Sequence, residues 1–238
     1  HSGGFMNRES VIGYAKDMGI ELDSMALERL EILEHRLLRW NEHINLTAIT
    51  DEDGIAVKHF ADSLTVLTAA EFAGGAKVVD VGCGAGFPGL PMLIARPDLD
   101  ITFLDSVGKK LGFIKDVLNV TGLLGQTLHA RAEEIAHDAA YREQFDFAVS
   151  RAVAPLNILA EYALPLVKPG GTFIAMKGAE DEAELGGRAI QTLGGKIEQV
   201  VYLELPNKDP RNLVVIKKLS QTSPKYPRRA KKITSKPL

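Results

Sequence analysis

The chain is poor in cysteine, in aromatic residues and in long apolar runs. Its 238 residues include a single cysteine, Cys83, which excludes an internal disulfide and a zinc site of clustered cysteines. We therefore predict no metal site. No apolar run approaches the roughly 20 residues that span a bilayer, and no charged-then-apolar signal segment opens the chain. These absences predict a cytoplasmic protein with no membrane partner.

Acidic residues are missing from the C-terminal end. From Pro210 onward there is no Asp or Glu, and the nine basic residues are Arg211, Lys217, Lys218, Lys225, Arg228, Arg229, Lys231, Lys232 and Lys236. With −3 overall and +9 in this stretch, the remainder carries −12. An acidic body with a basic tail favours contact with a polyanion, and Tyr226 adds a group that can stack on bases. The alternative is a solvated, disordered terminus.

Composition and pattern divide the chain into three parts. The hydrophobic share is 45% and the charged share 25%, which is typical of one globular domain with an extension. The leading HSGGF resembles an expression-tag remnant, so we take Met6 as the native start. Residues 6–70 are helical in pattern, with Asp23 as the N-cap of one helix and a second helix over 55–70 that Gly74 and Gly75 end. Residues 71–219 form an α/β domain, and 220–238 form a basic tail.

Within the α/β domain, strands and helices alternate. Strands are predicted near 77–82, 100–105, 126–130, 145–150, 171–177, 197–204 and 212–217. Such alternation predicts a parallel sheet flanked by helices, and the short connection between the last two strands predicts an antiparallel hairpin. The fold class is therefore α/β with a seven-stranded, mostly parallel sheet, which suits a methyltransferase better than a symmetric dinucleotide fold.

The segment KVVDVGCGAGFPG (77–89) turns a buried strand into a glycine-rich loop and then a helix. Gly82, Gly84 and Gly86 let the backbone pass close to a ligand. A dinucleotide fingerprint needs a further glycine at position 87, which is Phe87. Asp105 ends the next strand, 19 residues after Gly86, where a carboxylate can hold both ribose hydroxyls. Loop and acid together predict a nucleoside cofactor, either NAD or S-adenosylmethionine.

Several segments together resemble a known family. The G-x-G-x-G spacing with Asp80 two residues before it is similar to motif I of S-adenosylmethionine-dependent methyltransferases. Six segments in order resemble the RsmG (GidB) family: WNEHINLT (40–47), HFADSL (59–64), DVGCGAGFPG (80–89), LDS (104–106), SRA (150–152) and MKG (176–178). The resemblance implies a Rossmann-like domain with an N-terminal helical extension. It also implies S-adenosylmethionine-dependent methylation of N7 of the guanosine at position 527 of 16S rRNA.

The resemblance also implies particular site residues. Carried over to this sequence, the cofactor positions are Gly82, Phe87, Ala132, Glu133 and Arg151, beside Gly84, Gly86 and Asp105 from the loop and strand end. Arg131, Arg151 and Lys177 are the candidate catalytic residues, because such cations can grip guanine O6 or phosphates. We interpret the remaining ambiguous residues as structural, and these are His43, His59, His129, Trp40, Asn45 and Asp62.

The absence of two kinds of catalytic motif reduces the number of methylation reactions that the sequence allows. A pyrimidine C5 methyltransferase needs a cysteine nucleophile, and Cys83 lies inside the cofactor loop. The acid or amide, two prolines and aromatic that hold an exocyclic amine are also absent. Guanine N7 needs neither device, since its lone pair is already nucleophilic and no proton leaves. We expect a monomer acting on 16S rRNA in the small subunit or its assembly intermediate. The alternatives are an NAD-dependent oxidoreductase and a non-catalytic RNA-binding protein.

Overall fold

The computed structural model describes residues 6–152, 154–178 and 182–238. The interpretation of the first five residues as a tag concerns a stretch outside the described residues. The helical elements are α1 Arg8–Asp17, α2 Ser24–Asn41, α3 Glu52–Gly54, a π-helix Ile55–Ala61, α4 Asp62–Leu64, a 3-10 helix Thr65–Thr68, α5 Gly89–Ala95, α6 Gly108–Thr121, α7 Ala132–Ile135, α8 Leu156–Ala163, a 3-10 helix Leu164–Leu166, α9 Ala183–Thr192 and α10 Ala230–Ser235.

A seven-stranded sheet forms the centre of the protein. Its strands are β1 Lys77–Val81, β2 Asp100–Asp105, β3 Gln126–His129, β4 Phe145–Ser150, β5 Val167–Lys177, β6 Gly195–Glu204 and β7 Pro210–Lys218. The spatial order is β3-β2-β1-β4-β5-β7-β6. Strands β1 to β5 pair in parallel, whereas β7 runs antiparallel to both β5 and β6. The predicted α/β fold is therefore confirmed.

The predicted hairpin is present, but the place of β7 in the sheet order is not part of that prediction. Strands β6 and β7 do form an antiparallel pair, but β7 lies between β5 and β6. Asn212 at its start is paired with Lys177 at the end of β5. The insertion therefore brings the first residues of β7 to the sheet edge at which the parallel strands end.

Alternate strand residues supply two cores, one on each face of the sheet. Val78 belongs to one apolar cluster and Val79 to the other, as expected where successive side chains point to opposite faces. The first core receives Leu30, Leu33 and Leu37 of α2, all fully buried. Burying each such leucine contributes about 1.5–3 kcal/mol. The N-terminal helices thus share a core with the sheet, and domain boundaries at residues 70 and 219 stay a prediction.

The predicted cap of α2 is confirmed, but the next helical stretch does not end at the expected position. Asp23 accepts a hydrogen bond from the Ala26 amide at 2.7 Å. The next stretch covers 52–68, with a π-helical middle, and ends before Gly74. The Thr65 and Thr68 hydroxyls donate to the carbonyls of residues three positions earlier. The expected end at the two glycines is therefore wrong, because the last turn tightens into a 3-10 helix.

The C-terminal segment folds back on the domain. Tyr226 is 7% exposed and lies in the second core, and Ile233 of α10 is fully buried. The alternative of a disordered terminus is wrong, since burial of these side chains anchors the segment. The Tyr226 ring is also not available to stack on a base.

The described residues contain neither a helix that could span a membrane nor a cluster of metal ligands. None of the described helices combines the length and apolar character needed to cross a bilayer. Across residues 6–152, 154–178 and 182–238, no cluster of three or more His, Cys, Asp or Glu side chains is arranged to hold a metal ion.

Glu34 of α2 gives a stability prediction. Its side chain is 1% exposed, and burial, followed by repulsion from Glu52 and Glu31, raises its pKa from 4.5 to about 7. The folded protein thus keeps a proton that the unfolded chain releases near pH 4.5, so stability falls as pH rises from 4.5 to 7. We expect Glu34→Gln to raise the melting temperature by an increment that grows over that interval and then levels off.

The control for this prediction is Glu28→Gln, which changes an exposed glutamate on the same helix. Thermal unfolding of both variants and the wild type is followed at several pH values. A Glu34→Gln increment that is the same at pH 4.5 and pH 8 would show that the carboxyl is not held protonated.

Candidate cofactor and RNA site

A cavity of about 260 Å³ opens at the C-terminal ends of β1 to β4. Its lining includes Gly82, Asp105, Arg131, Ala132, Glu133 and Tyr162. In open α/β sheets ligands bind at this edge, outside the carboxyl ends of the strands. The structure thus brings together the loop glycine, the strand-end acid and the residues after β3 that the sequence predicts to bind a cofactor.

At only two of the three loop glycines, Gly82 and Gly84, is the backbone open to close contact with a ligand. Gly82 and Gly84 have φ values of +65° and +55°, and a Cβ on Gly84 would meet nothing within 4 Å. A Cβ on Gly86 would instead lie 2.5 Å from Cδ1 of Leu90. Gly86 is therefore required for packing of the loop on α5, and its direct contact with a cofactor stays a prediction.

Asp105 holds the loop in place. Its two carboxylate oxygens accept hydrogen bonds from the Gly84 and Val107 amides, each at 2.8 Å. Because a carboxylate has about four lone-pair sites, it retains capacity for ribose hydroxyls. With apolar Leu104 and Leu159 on the same walls, the cavity fits an amino acid joined to a nucleoside, as in S-adenosylmethionine.

Asp80, the acid before the first glycine, lies beneath the loop. It is fully buried, and its Oδ2 accepts from the Gly89 amide at 2.9 Å. Burial raises its pKa from 3.8 to about 7. Its contribution is therefore to fix the start of α5 against β1.

A larger cavity of about 670 Å³ lies beside the first. Its lining includes Lys58, His59, Asp62, Arg151, Lys177 and Arg211. Ala152, which follows β4, lines both cavities. A ligand in the smaller cavity and a ligand in the larger one would therefore meet beside Ala152.

Asp62 is the centre of an ion network on the wall of the larger cavity. Its carboxylate is fully buried and accepts two hydrogen bonds of 2.6 Å from Nε and Nη2 of Arg211. Arg151 Nη1 donates to the same carboxylate at 3.2 Å and to the Lys58 carbonyl at 2.8 Å. Two guanidinium groups share one carboxylate, so the network carries one uncompensated positive charge toward the cavity.

His59 is neutral and completes this wall. Its Nδ1 is 3.1 Å from Nη2 of Arg151, and a guanidinium can only donate. The proton of the ring is therefore on Nε2, which donates to Thr47 Oγ1 at 2.8 Å. Burial, with added repulsion from Arg151, lowers the His59 pKa from 6.5 to about 3.

Phe87 lies behind these groups. Its ring stacks on His59 with centroids 4.3 Å apart, and the Arg151 guanidinium lies 5.2 Å from its centroid. At 4% exposure the ring is part of the first core. It supports Arg151 from below, and a direct contact with the cofactor stays a prediction.

The three candidate catalytic cations are divided between the two cavities. Arg151 and Lys177 line the larger cavity. Lys177 is 6% exposed and pairs with Glu182 at 3.2 Å. Arg131 lies at the smaller cavity with a side chain 61% exposed, near Glu133. The structure therefore separates Arg131 from the other two.

Three residues of the larger cavity are not predicted from the sequence as site residues. His59 and Asp62 are interpreted as structural, and Arg211 is counted only among the basic residues of the C-terminal end. The spacing of His59 and Asp62, three positions apart in a helical pattern, is the available sign that both face one side. Arg211 gives no such sign, because its meeting with Asp62 depends on where β7 lies in the sheet.

The sheet order and the glycine loop over a sheet-edge cavity are those of the Rossmann-like methyltransferase fold. Solved structures with the same fold include precorrin-6y C5,15-methyltransferase from Geobacter metallireducens, with a TM-score of 0.53, 16% identity and coverage of 73% of this chain and 91% of that chain. TrmN from Thermus thermophilus has a TM-score of 0.51 and 22% identity, and the match covers 66% of this chain and 48% of that chain.

Sequence comparison gives the family within this class. The profile described as rRNA small subunit methyltransferase G matches residues 26–214. A relative named ribosomal RNA small subunit methyltransferase G, from Thermoanaerobacter sp. (strain X514), is 47% identical over 97% of this chain and 98% of its own length. One of the same name from Lactobacillus acidophilus is 44% identical over 98% of this chain and its full length.

The chain belongs to the rRNA small subunit methyltransferase G family. It is an S-adenosylmethionine-dependent rRNA methyltransferase, and its substrate is an RNA. The predicted family, cofactor and enzyme class are therefore confirmed. Neither the NAD-dependent oxidoreductase nor the non-catalytic RNA-binding protein is favoured.

Gly82 gives a prediction about the cofactor cavity. A Cβ there would lie 3.6 Å from Cβ of Ala152, so the branches of a valine would fill the space between loop and β4. We expect Gly82→Val to weaken S-adenosylmethionine binding by at least about tenfold, equivalent to about 1.4 kcal/mol. Calorimetric titration of the purified variant measures the effect.

The matched control is Gly122→Val. Gly122 also has a positive φ, +71°, and a Cβ on this residue would meet nothing within 4 Å. It caps α6 away from both cavities, so the variant reports the cost of backbone strain alone. Equal cofactor affinity in the two variants would remove Gly82 from the cofactor site.

Substitution of Asp62 is predicted to lower both the folding stability and the rate of methyl transfer. In Asp62→Asn, two partly buried guanidinium groups lose their shared anionic acceptor, which costs about 1–3 kcal/mol of folding stability. We expect a lower melting temperature together with a large loss of methyl transfer, because neither arginine keeps its orientation. Asp98→Asn is the control, since it breaks an exposed arginine–aspartate pair elsewhere. Full transfer activity in a folded Asp62→Asn protein would contradict the positioning role.

Proposed function

We propose that this protein methylates N7 of the guanosine at position 527 of 16S rRNA, in the small subunit or its assembly intermediate. The observation that carries the proposal is the pair of cavities that meet at Ala152, one beneath the glycine loop and one walled by Arg151 and Arg211. The relatives are named as methyltransferases of the small-subunit ribosomal RNA, which supports a substrate of that class. Because the substrate is ribosomal, we propose a cytoplasmic protein, and we propose that it acts as a monomer.

The residues have distinct proposed roles. Gly82, Gly84, Asp105, Ala132 and Glu133 hold the cofactor, which supplies an electrophilic methyl group when bound. Arg151 and Arg211 present donors to the larger cavity, where a guanidinium can grip guanine O6 or a phosphate. Positioning of this kind lowers a barrier by up to about 7–11 kcal/mol in ideal cases.

The chemistry of the larger cavity suits a reaction that releases no proton. His59 uses both ring nitrogens, Asp62 and Glu182 each pair with a cation, and the exposed Asp209 carboxylate accepts from the Asn207 side-chain amide. A base is needed to methylate an exocyclic amine but not to methylate guanine N7, whose in-plane lone pair attacks directly. The occupied acceptors therefore support N7 as the target atom.

The test of this proposal is substitution of Arg151. We expect Arg151→Ala to lose at least about 100-fold in methyl transfer, since a small misplacement of reacting groups costs that much. The melting temperature should fall little, because Arg211 keeps both Asp62 oxygens. Arg151→Lys should recover only part of the activity, because an ammonium group cannot reproduce the guanidinium fork.

The assay follows labelled methyl transfer to small-subunit RNA that lacks the modification, and then maps the modified base. Arg39→Ala, which removes an exposed arginine of α2, is the control. Near-normal transfer by Arg151→Ala would reduce Arg151 to a structural ion pair. A methyl group on any atom but guanine N7 would overturn the proposed reaction.

A further inference from the structure

The nine basic residues that follow Pro210 fall into distinct groups in the folded protein. Three pair with carboxylates: Arg211 with Asp62, Lys218 with Glu143 and Arg228 with Glu161. Lys217 lies in β7. The other five are exposed, and among the described residues none of them is paired with a carboxylate; they are Lys225, Arg229, Lys231, Lys232 and Lys236. We call these five the basic C-terminal surface.

This surface is held rigidly by hydrogen bonds beneath it. The Arg142 guanidinium donates to the carbonyls of Thr222, Ser223 and Tyr226 at 3.0, 3.2 and 2.9 Å. The buried Glu161 carboxylate accepts from the Arg228 amide at 2.7 Å and from its Nη2 at 2.7 Å. With Ile233 fully buried as well, the segment is ordered before any partner binds.

These contacts also fix the position of the basic C-terminal surface relative to the cofactor cavity. Glu161 lies on α8, and Leu159 and Tyr162 of the same helix line the smaller cavity. The Pro227 carbonyl is 2.7 Å from Nε2 of His137, which follows α7, and α7 carries the cavity residues Ala132 and Glu133. The segment that carries the basic C-terminal surface is therefore bonded to α8 and to the residue His137 after α7, and both helices line the cofactor cavity.

The composition of the surface indicates what it binds. It consists of lysines and an arginine, and Tyr226, the aromatic residue nearest to them in sequence, is buried. Protein interfaces are depleted in lysine and depend on aromatic anchors. Phosphate contacts, in contrast, come from Lys and Arg and need no base recognition. An exposed cationic set without an aromatic anchor therefore fits a nucleic-acid backbone.

We propose that the basic C-terminal surface binds the phosphate backbone of the ribosomal RNA that flanks the target nucleotide. This inference rests on the proposed function, since it names a second contact for the same substrate. The surface positions the RNA through charge, while recognition of the target base stays with the larger cavity. Because the segment is already ordered, binding loses little conformational entropy.

The experiment replaces all five cations by glutamine: Lys225→Gln, Arg229→Gln, Lys231→Gln, Lys232→Gln and Lys236→Gln in one protein. Substitution is preferable to deletion, because deletion would uncover Glu161 and the second core. The matched control carries Lys16→Gln, Arg39→Gln, Lys77→Gln, Lys115→Gln and Lys196→Gln, which removes four exposed lysines and one exposed arginine elsewhere. Both variants therefore have the same net charge.

Binding to unmodified small-subunit RNA is measured over a series of salt concentrations. Each phosphate contact contributes about 0.7–0.9 to the slope of log K against log salt, so we expect the surface variant to lose up to about 4 from that slope and at least about tenfold in affinity. Its melting temperature and S-adenosylmethionine affinity should match the wild type. In the transfer assay KM for RNA should rise while kcat stays within about twofold.

Two outcomes overturn the inference: an unchanged salt slope in the surface variant, or an equal loss in the control variant, which would show that only net charge matters. These are distinct from failure of the proposed function. If the wild type transfers no methyl group to the same RNA, the proposed function fails. If it transfers normally and the surface variant is indistinguishable from it, only the basic C-terminal surface is refuted.

Discussion

The larger cavity depends on one buried carboxylate. Asp62 is fully buried, a position that is costly for a charge unless cations and hydrogen bonds surround it. Arg211 and Arg151 supply both, and they come from the start of β7 and from the residue after β4. The carboxylate thereby joins a helix, a parallel strand and an antiparallel strand that are distant in sequence. Removing it would leave two guanidinium groups close together without the charge that holds them.

The helical part of the chain and the sheet contribute to the two cavities unequally. The smaller cavity is lined by residues of the α/β region alone. The larger one also takes Ile49, Lys58, His59 and Asp62 from the segment before β1. The cofactor side is thus formed by the α/β region, whereas part of the proposed RNA side comes from the segment before β1.

Features formed by residues close together in sequence can be predicted from the sequence, whereas contacts between residues far apart in sequence cannot. The cap at Asp23 and the glycine loop after β1 are encoded within a few residues and are found as predicted. The predicted strand ends agree with the structure to within two residues, except that β5 begins at Val167 and not at 171. Asp62 and Arg211 lie 149 positions apart, and their pairing follows only from the insertion of β7 beside β5. The interpretation of Tyr226 as a stacking group is wrong for the same reason, since nothing near it in sequence indicates that it joins the second core.

The neutral state of His59 explains how this ring can hold Arg151 in one orientation. A protonated ring would repel Arg151, but burial and that same arginine keep the imidazole uncharged. Nδ1 can then accept from Arg151 while Nε2 donates to Thr47, whose hydroxyl oxygen also accepts from the Ile49 amide at 3.0 Å. The His59 ring therefore links the Arg151 guanidinium to the Thr47 hydroxyl. The orientation of Arg151 is therefore set during folding, so binding of RNA need not supply the free energy to arrange it.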